Sequence, residues 1–257
     1  MYESINILNL FSIPTYNLFI GLGILAGFVY FEKSIKIDNE LSFKLINILF
    51  FSLFFAFLGS RLFDIYFFEK SFSYYNIING SSAFLGGVLF AIIFISVFSK
   101  IYGIRIFSLL NILCIPLVIG HFFGRIGCFL GGCCFGKTCS SSFLFGVNYP
   151  ESSIPYQFYN SNVYVHPTQL YEALGLLLIF IFIKNYKNKL SGYLILYGIL
   201  RFIIEIFRND ERGSFIYDVL SPSQLISISM IFFGIIIIFL NSKRIIIFNK
   251  KLEIQKN

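Results

Sequence analysis

Apolar runs of about 20 residues, separated by short polar breaks, recur along the whole chain, and each is long enough to cross the hydrocarbon layer as a helix. In lipid every backbone N–H and C=O must pair within its own segment, so such runs form helices. The strands of a barrel would alternate polar and apolar residues, and these runs do not. Composition agrees, with 57% of the 257 residues hydrophobic, 13% charged and a mean hydropathy of +0.79. The chain is therefore expected to be an all-α integral membrane protein of one embedded domain, 1–257, with seven transmembrane helices at 16–31, 45–68, 82–99, 106–128, 168–183, 191–207 and 222–241. The N-terminus has neither a basic n-region nor a small-residue cleavage site, so the first run is kept as a helix. No internal repeat of the kind seen in alternating-access transporters is visible.

The net charge of +7 does not point to nucleic acid, because the basic residues sit in short clusters between apolar runs. Of the 20 Lys and Arg residues, 13 fall on one side of the predicted topology, 4 on the other and 3 within spans. By the positive-inside rule the N-terminus is outside and the tail 242–257 is cytoplasmic. The longest polar insertion, roughly 137–167, is then a small external cap region.

Charge inside the spans needs a reason, since an arginine near mid-membrane costs about 2.5–3.5 kcal/mol on insertion scales. Arg61 and Asp64 stand at i, i+3 and are read as a structural ion pair. Asn111 and Cys114 read as packing residues. His121, Arg125 and Cys128 lie at i, i+4 and i+7 along one helix stripe. The glycines at 124, 127, 131 and 132 suit close helix packing, but the arginine beside them needs a partner or a wet cavity. Tyr197, Arg201 and Glu205 repeat the theme at i, i+4 and i+8. Two readings stay open there: an Arg201–Glu205 pair within one helix, or an anion site shared by Arg125 and Arg201, whose planar forks suit phosphate oxygens.

The chain holds two histidines, His121 and His166, both beside polar clusters near the predicted outer side, where either could act as a base. The proline in His166-Pro167-Thr168-Gln169-Leu170-Tyr171-Glu172 is an ordinary helix start. Cys128, Cys133, Cys134 and Cys139 show none of the paired elements common in zinc sites. Cys133 or Cys134 could bridge to Cys139 on an oxidising side, or the thiols stay free. No metal and no cofactor are expected.

These motifs together resemble the prolipoprotein diacylglyceryl transferase family of the bacterial cytoplasmic membrane. The resemblance covers nearly the whole chain: Phe11-Ser12-Ile13, Gly21-Leu22-Gly23, Phe84-Leu85-Gly86-Gly87, G-R-I-G at 124–127, H-P-T-Q-L-Y-E at 166–172, Y-G-x-x-R-F-x-x-E-x-F-R at 197–208 and L-S-P-S-Q at 220–224. It implies transfer of a diacylglyceryl group from phosphatidylglycerol to the thiol of the lipobox cysteine in a preprolipoprotein signal peptide, with glycerol phosphate released. It further implies that Arg125 and Arg201 hold the lipid phosphate, with Tyr197 as a hydrogen-bond partner and Gly124, Gly136, Gln169, Glu172 and Glu205 contributing to the lipid site. The chain departs from the better-known members at Ile20, Leu85 and Cys128, and resembles a divergent, cysteine-containing branch. Leu85 stands where those members carry a histidine, which makes His121 the first candidate for the base and His166 the second. The competing readings are the same fold and phospholipid site with a different acceptor, and a transporter of lipid or a small anion.

Overall fold

A computed structural model describes residues 4–7, 11–34, 39–67, 73, 84–208 and 220–254. Among them, eight helices follow one another: α1 Thr15–Ser34, α2 Asn39–Phe67, α3 Phe84–Ile101, α4 Ile106–Leu130, the short α5 Ile154–Tyr159, α6 Thr168–Ile183, α7 Lys189–Ile206 and α8 Pro222–Ile254. Every predicted span falls on one of them, although residues 68, 82 and 83 of two spans lie outside the described residues. Thr15–Ser34, Phe43–Tyr66, Ile106–Leu130 and Pro222–Leu240 are long and apolar enough to cross a membrane, and Gly86–Ile101 and Thr168–Ile183 are apolar but shorter. The architecture is that of a helical, multi-pass integral membrane protein. The helix α8 runs past the expected membrane exit to Ile254, because neither glycine nor proline interrupts 241–254.

Strand structure, absent from the sequence expectation, is limited to two small antiparallel pairs among the described residues. β1 (Ser4–Ile7) pairs with β2 (Phe11–Pro14) in register Ser4↔Pro14 just ahead of α1. β3 (Val147–Asn148) pairs with β4 (Tyr164–Val165) within the 131–167 insertion. Between these two strands Ser153 caps α5, its Oγ accepting from the Tyr156 N–H at 3.5 Å.

The chain divides into two compact units, Met1–Phe31 with Cys114–Asn257, and Glu32–Leu113. In the second, α2 and α3 pack through glycines: a Cβ on Gly59 would lie 2.4 Å from the Phe90 Cβ, and one on Gly86 2.2 Å from the Phe63 Cβ. Arg61 holds its guanidinium carbon 5.2 Å from the Phe57 ring centroid, one turn from the buried Asp64. In the first unit, α1 lies on α4 where Gly23 meets Gly120 and Gly27 meets the Pro116 carbonyl. Gly175 admits Leu200 between α6 and α7, and Gly198 receives Ile231 of α8. With lipid as apolar as the side chains, close backbone approach of this kind is what holds membrane helices together. The core of this unit, Cys114, Ile115, Val118, Leu176, Ile179, Ile183, Tyr193 and Tyr197, brings α4, α6 and α7 together.

Candidate active site

That packing places three helices around one carboxylate. Glu172, one turn into α6 and 1% exposed, turns Oε1 toward α4 and α7. It receives the Arg125 Nη2 at 2.9 Å and the Tyr197 hydroxyl at 2.7 Å, with the His121 Nε2 at 3.6 Å. His121 is fixed from its other side by the Tyr193 hydroxyl, 3.3 Å from Nδ1, and its ring meets Tyr197 edge-on at 4.8 Å. Tyr193 and Tyr197, one turn apart on α7, stack with centroids 5.3 Å apart and so share an orientation. The stripe spacing of His121 and Arg125 on α4 thus brings both to one acceptor.

Arg201 forms the second half. Its Nη2 donates to Glu205 Oε2 at 2.6 Å and to Ser223 Oγ at 3.0 Å. Glu205 Oε1 accepts from the Ser221 hydroxyl at 2.8 Å, and Oε2 lies 3.9 Å from Arg208 Nε. The in-helix Arg201–Glu205 pair, one of the two readings left open by the sequence, is therefore made. It does not exhaust the arginine, because the buried Arg201 Nη1 has no hydrogen-bond partner among the described residues, and neither has Arg125 Nε. Both guanidiniums act electrostatically on Glu172 and on Tyr197.

The remaining predicted residues have other surroundings. His166 sits against Tyr171, whose hydroxyl is 3.2 Å from Nδ1, and against the Phe143 and Phe207 rings, with no contact to the Glu172 cluster among the described residues. Gly136 is a point of close backbone approach: a Cβ there would lie 2.6 Å from the Phe207 carbonyl oxygen and 2.7 Å from that of His166. A Cβ on Gly124 would lie 3.5 Å from the Ile20 side chain, an ordinary contact. Gln169 donates from Nε2 to the Cys133 carbonyl at 2.6 Å and lies 3.4 Å from the Tyr149 hydroxyl. Burial pushes the Tyr149 phenol up to about 12, which keeps its proton in place beside Gln169.

Thr168, Tyr193, Ser221, Ser223 and Arg208 were missed as site residues. Tyr193 had a signal in its i, i+4 spacing to Tyr197, and the two serines in the L-S-P-S-Q motif. Of the two readings left open for the cysteines, the free thiols hold: none is bridged. Cys139 stands apart, while the Sγ atoms of Cys128, Cys133 and Cys134 lie within 4.8 Å of one another, a convergence their spacing did not announce.

Fold and site together define a membrane-embedded helical protein with a buried centre of arginine, carboxylate, tyrosine and histidine. The sequence matches the prolipoprotein diacylglyceryl transferase family over residues 4–240, and the chain belongs to that family. It is 32% identical over 249 residues to the phosphatidylglycerol–prolipoprotein diacylglyceryl transferase of Finegoldia magna, covering 90% of this chain and 92% of that one. The protein of the same name from Wigglesworthia glossinidia brevipalpis is 34% identical over 259 residues, 87% of this chain and 91% of its own. A second such transferase from Clostridium perfringens is 41% identical over 133 residues, 49% of this chain.

Proposed function

We propose that this protein transfers the diacylglyceryl group of phosphatidylglycerol to the thiol of the lipobox cysteine in preprolipoprotein signal peptides, forming a thioether and releasing glycerol phosphate. Its family and the names of its relatives support the reaction, and the observation that carries the assignment of residues is the meeting of Arg125, Tyr197 and His121 on Glu172. The acceptor sulfur attacks the carbon of the diacylglycerol moiety that bears the phosphodiester, an S–C bond forms, that carbon's C–O bond breaks, and glycerol phosphate leaves with the bonding pair. A thiol of pKa about 8.5 must lose its proton to do this, and His121 is the base in reach of the cluster. Glu172, 3.6 Å from Nε2, stabilises the imidazolium that results. Arg201 Nη1 and Arg125 Nε are the donors left over for phosphate oxygens, where charge grows as the bond breaks.

Seven spans accommodate this site. The 18-residue α7, about 27 Å long, nearly matches a hydrocarbon core of about 30 Å. The charge asymmetry supports an N-terminus outside and a C-terminus in the cytoplasm of a bacterial cell, with the insertion at roughly 137–167 as an external cap.

The test uses purified protein, phosphatidylglycerol vesicles and a lipobox peptide, with thioether product followed by mass spectrometry and glycerol phosphate by release. Arg125→Ala and Arg201→Ala are each expected to lower turnover by at least about 100-fold, the loss typical of one donor to developing charge. Unchanged turnover in both variants overturns the assignment of residues. Glycerol phosphate release that does not respond to the peptide points instead to another acceptor.

A further inference from the structure

The last turn of α4 and the turn after it gather three thiols without any disulfide. Gly131 and Gly132 reverse the chain, Gly132 at φ +68°, so that the Cys133 N–H returns to the Cys128 carbonyl at 3.1 Å. Cys134 takes the left-handed conformation as well, at φ +61°, where a non-glycine residue is uncommon. Two side chains at the start of α6, each 1% exposed, pin this turn. Thr168 Oγ1 donates to the Cys134 carbonyl at 2.8 Å and Gln169 Nε2 to the Cys133 carbonyl at 2.6 Å. The main chain at both cysteines is therefore held from outside the cluster, and the three Sγ atoms converge within 4.8 Å of one another.

We propose that Cys128, Cys133 and Cys134 form a three-thiolate site for a thiophilic d10 cation of the zinc class, with one coordination position left for an exogenous ligand. Zinc–sulfur bonds of about 2.3 Å put tetrahedral sulfurs about 3.8 Å apart, so the cluster needs only a small contraction to close on an ion. Sulfur-only donors select soft or borderline metals over magnesium and calcium. Three protein ligands and an open fourth position is the pattern of zinc sites that bind a further group, whereas closed structural sites use four. The C-x4-C-C spacing resembles no common zinc element because the convergence comes from the turn and its clamp rather than from regular spacing on one element.

The test is metal binding by the full chain, purified in detergent with a thiol-free reductant, stripped with a chelator and titrated with zinc or cobalt. One equivalent per chain is expected, with thiolate-to-cobalt charge-transfer absorption in the near ultraviolet. Second-sphere changes alone lower metal affinity about 10–100-fold, so Cys128→Ser, Cys133→Ser and Cys134→Ser should each weaken zinc by at least about 100-fold. Cys139→Ser, outside the cluster, should bind as the unaltered chain does. The proposal is overturned if the unaltered chain takes up no stoichiometric zinc or cobalt, if Cys139→Ser loses the metal equally, or if protein isolated without reductant carries a disulfide among the three cysteines. The titration of the unaltered chain decides the matter even where a variant fails to fold. Because the readout is binding rather than transfer, its failure leaves the proposed reaction standing.

Discussion

Replacing Glu172 by glutamine removes one negative charge and almost no volume. Tyr197 keeps an oxygen acceptor at 2.7 Å, but Arg125 loses the counter-ion now 2.9 Å away, and a protonated His121 loses its nearest anion. Breaking a buried ion pair from one side costs about 3–5 kcal/mol, because the remaining charge stays desolvated. The Arg125 side chain is 17% exposed against 1% for Glu172, which puts this pair near the lower end, about 3 kcal/mol. At 1.36 kcal/mol per decade, that loss expressed in the transition state lowers kcat/KM by about 100-fold. The assay is thioether formation on a lipobox peptide in phosphatidylglycerol vesicles, run as a double-mutant cycle with Arg125→Ala. A coupling of about 1.5 kcal/mol or more is expected between residues that share one contact. If Glu172→Gln keeps activity within about threefold, or the coupling falls below about 0.5 kcal/mol, Glu172 is not the anchor of this site.

His121→Phe keeps the ring against Tyr197 and removes both nitrogens. A lost general base typically costs about 10²–10⁴-fold in rate, measured here as kcat with the lipid saturating. Ser223→Ala takes away one of the two acceptors of Arg201 Nη2, and the expected outcome is a KM for phosphatidylglycerol raised about tenfold with kcat nearly unchanged, as for a charge-assisted bond of about 1.5 kcal/mol. In the other unit, Gly59→Ala drives a methyl to 2.4 Å from Phe90 Cβ. Overpacking of this kind costs about 1–3 kcal/mol, read as a lower thermal midpoint in detergent than that of the unaltered chain.

The helices were legible because hydropathy needs only local sequence. The four-residue β1 and β2 and two-residue β3 and β4 are too short to leave a periodic pattern, and pairing rather than composition defines them. At the site, Arg201–Glu205 was readable from i, i+4 spacing on one helix. The Arg125–Glu172 pair was not, because it joins α4 to α6 across the insertion, and the H-P-T-Q-L-Y-E motif gives the carboxylate without its partner. His166 drew the same chemical reading as His121, and only tertiary structure separates them: one ring points to Glu172, the other lies among Phe143, Tyr171 and Phe207. The cysteines looked unrelated because a turn stabilised by residues some 35 positions downstream draws them together.

The two guanidiniums assigned to the lipid phosphate each stand against a carboxylate, Glu172 for Arg125 and, for Arg201, Glu205, which Arg208 also approaches at 3.9 Å. Before any lipid arrives, the two couples cancel, and the protein can reside in hydrocarbon without borrowing an anion from its surroundings. An incoming phosphodiester therefore meets no bare positive well. It must compete with resident carboxylates or accept the N–H groups they leave over, which makes headgroup geometry, rather than charge alone, the filter for which lipids settle there.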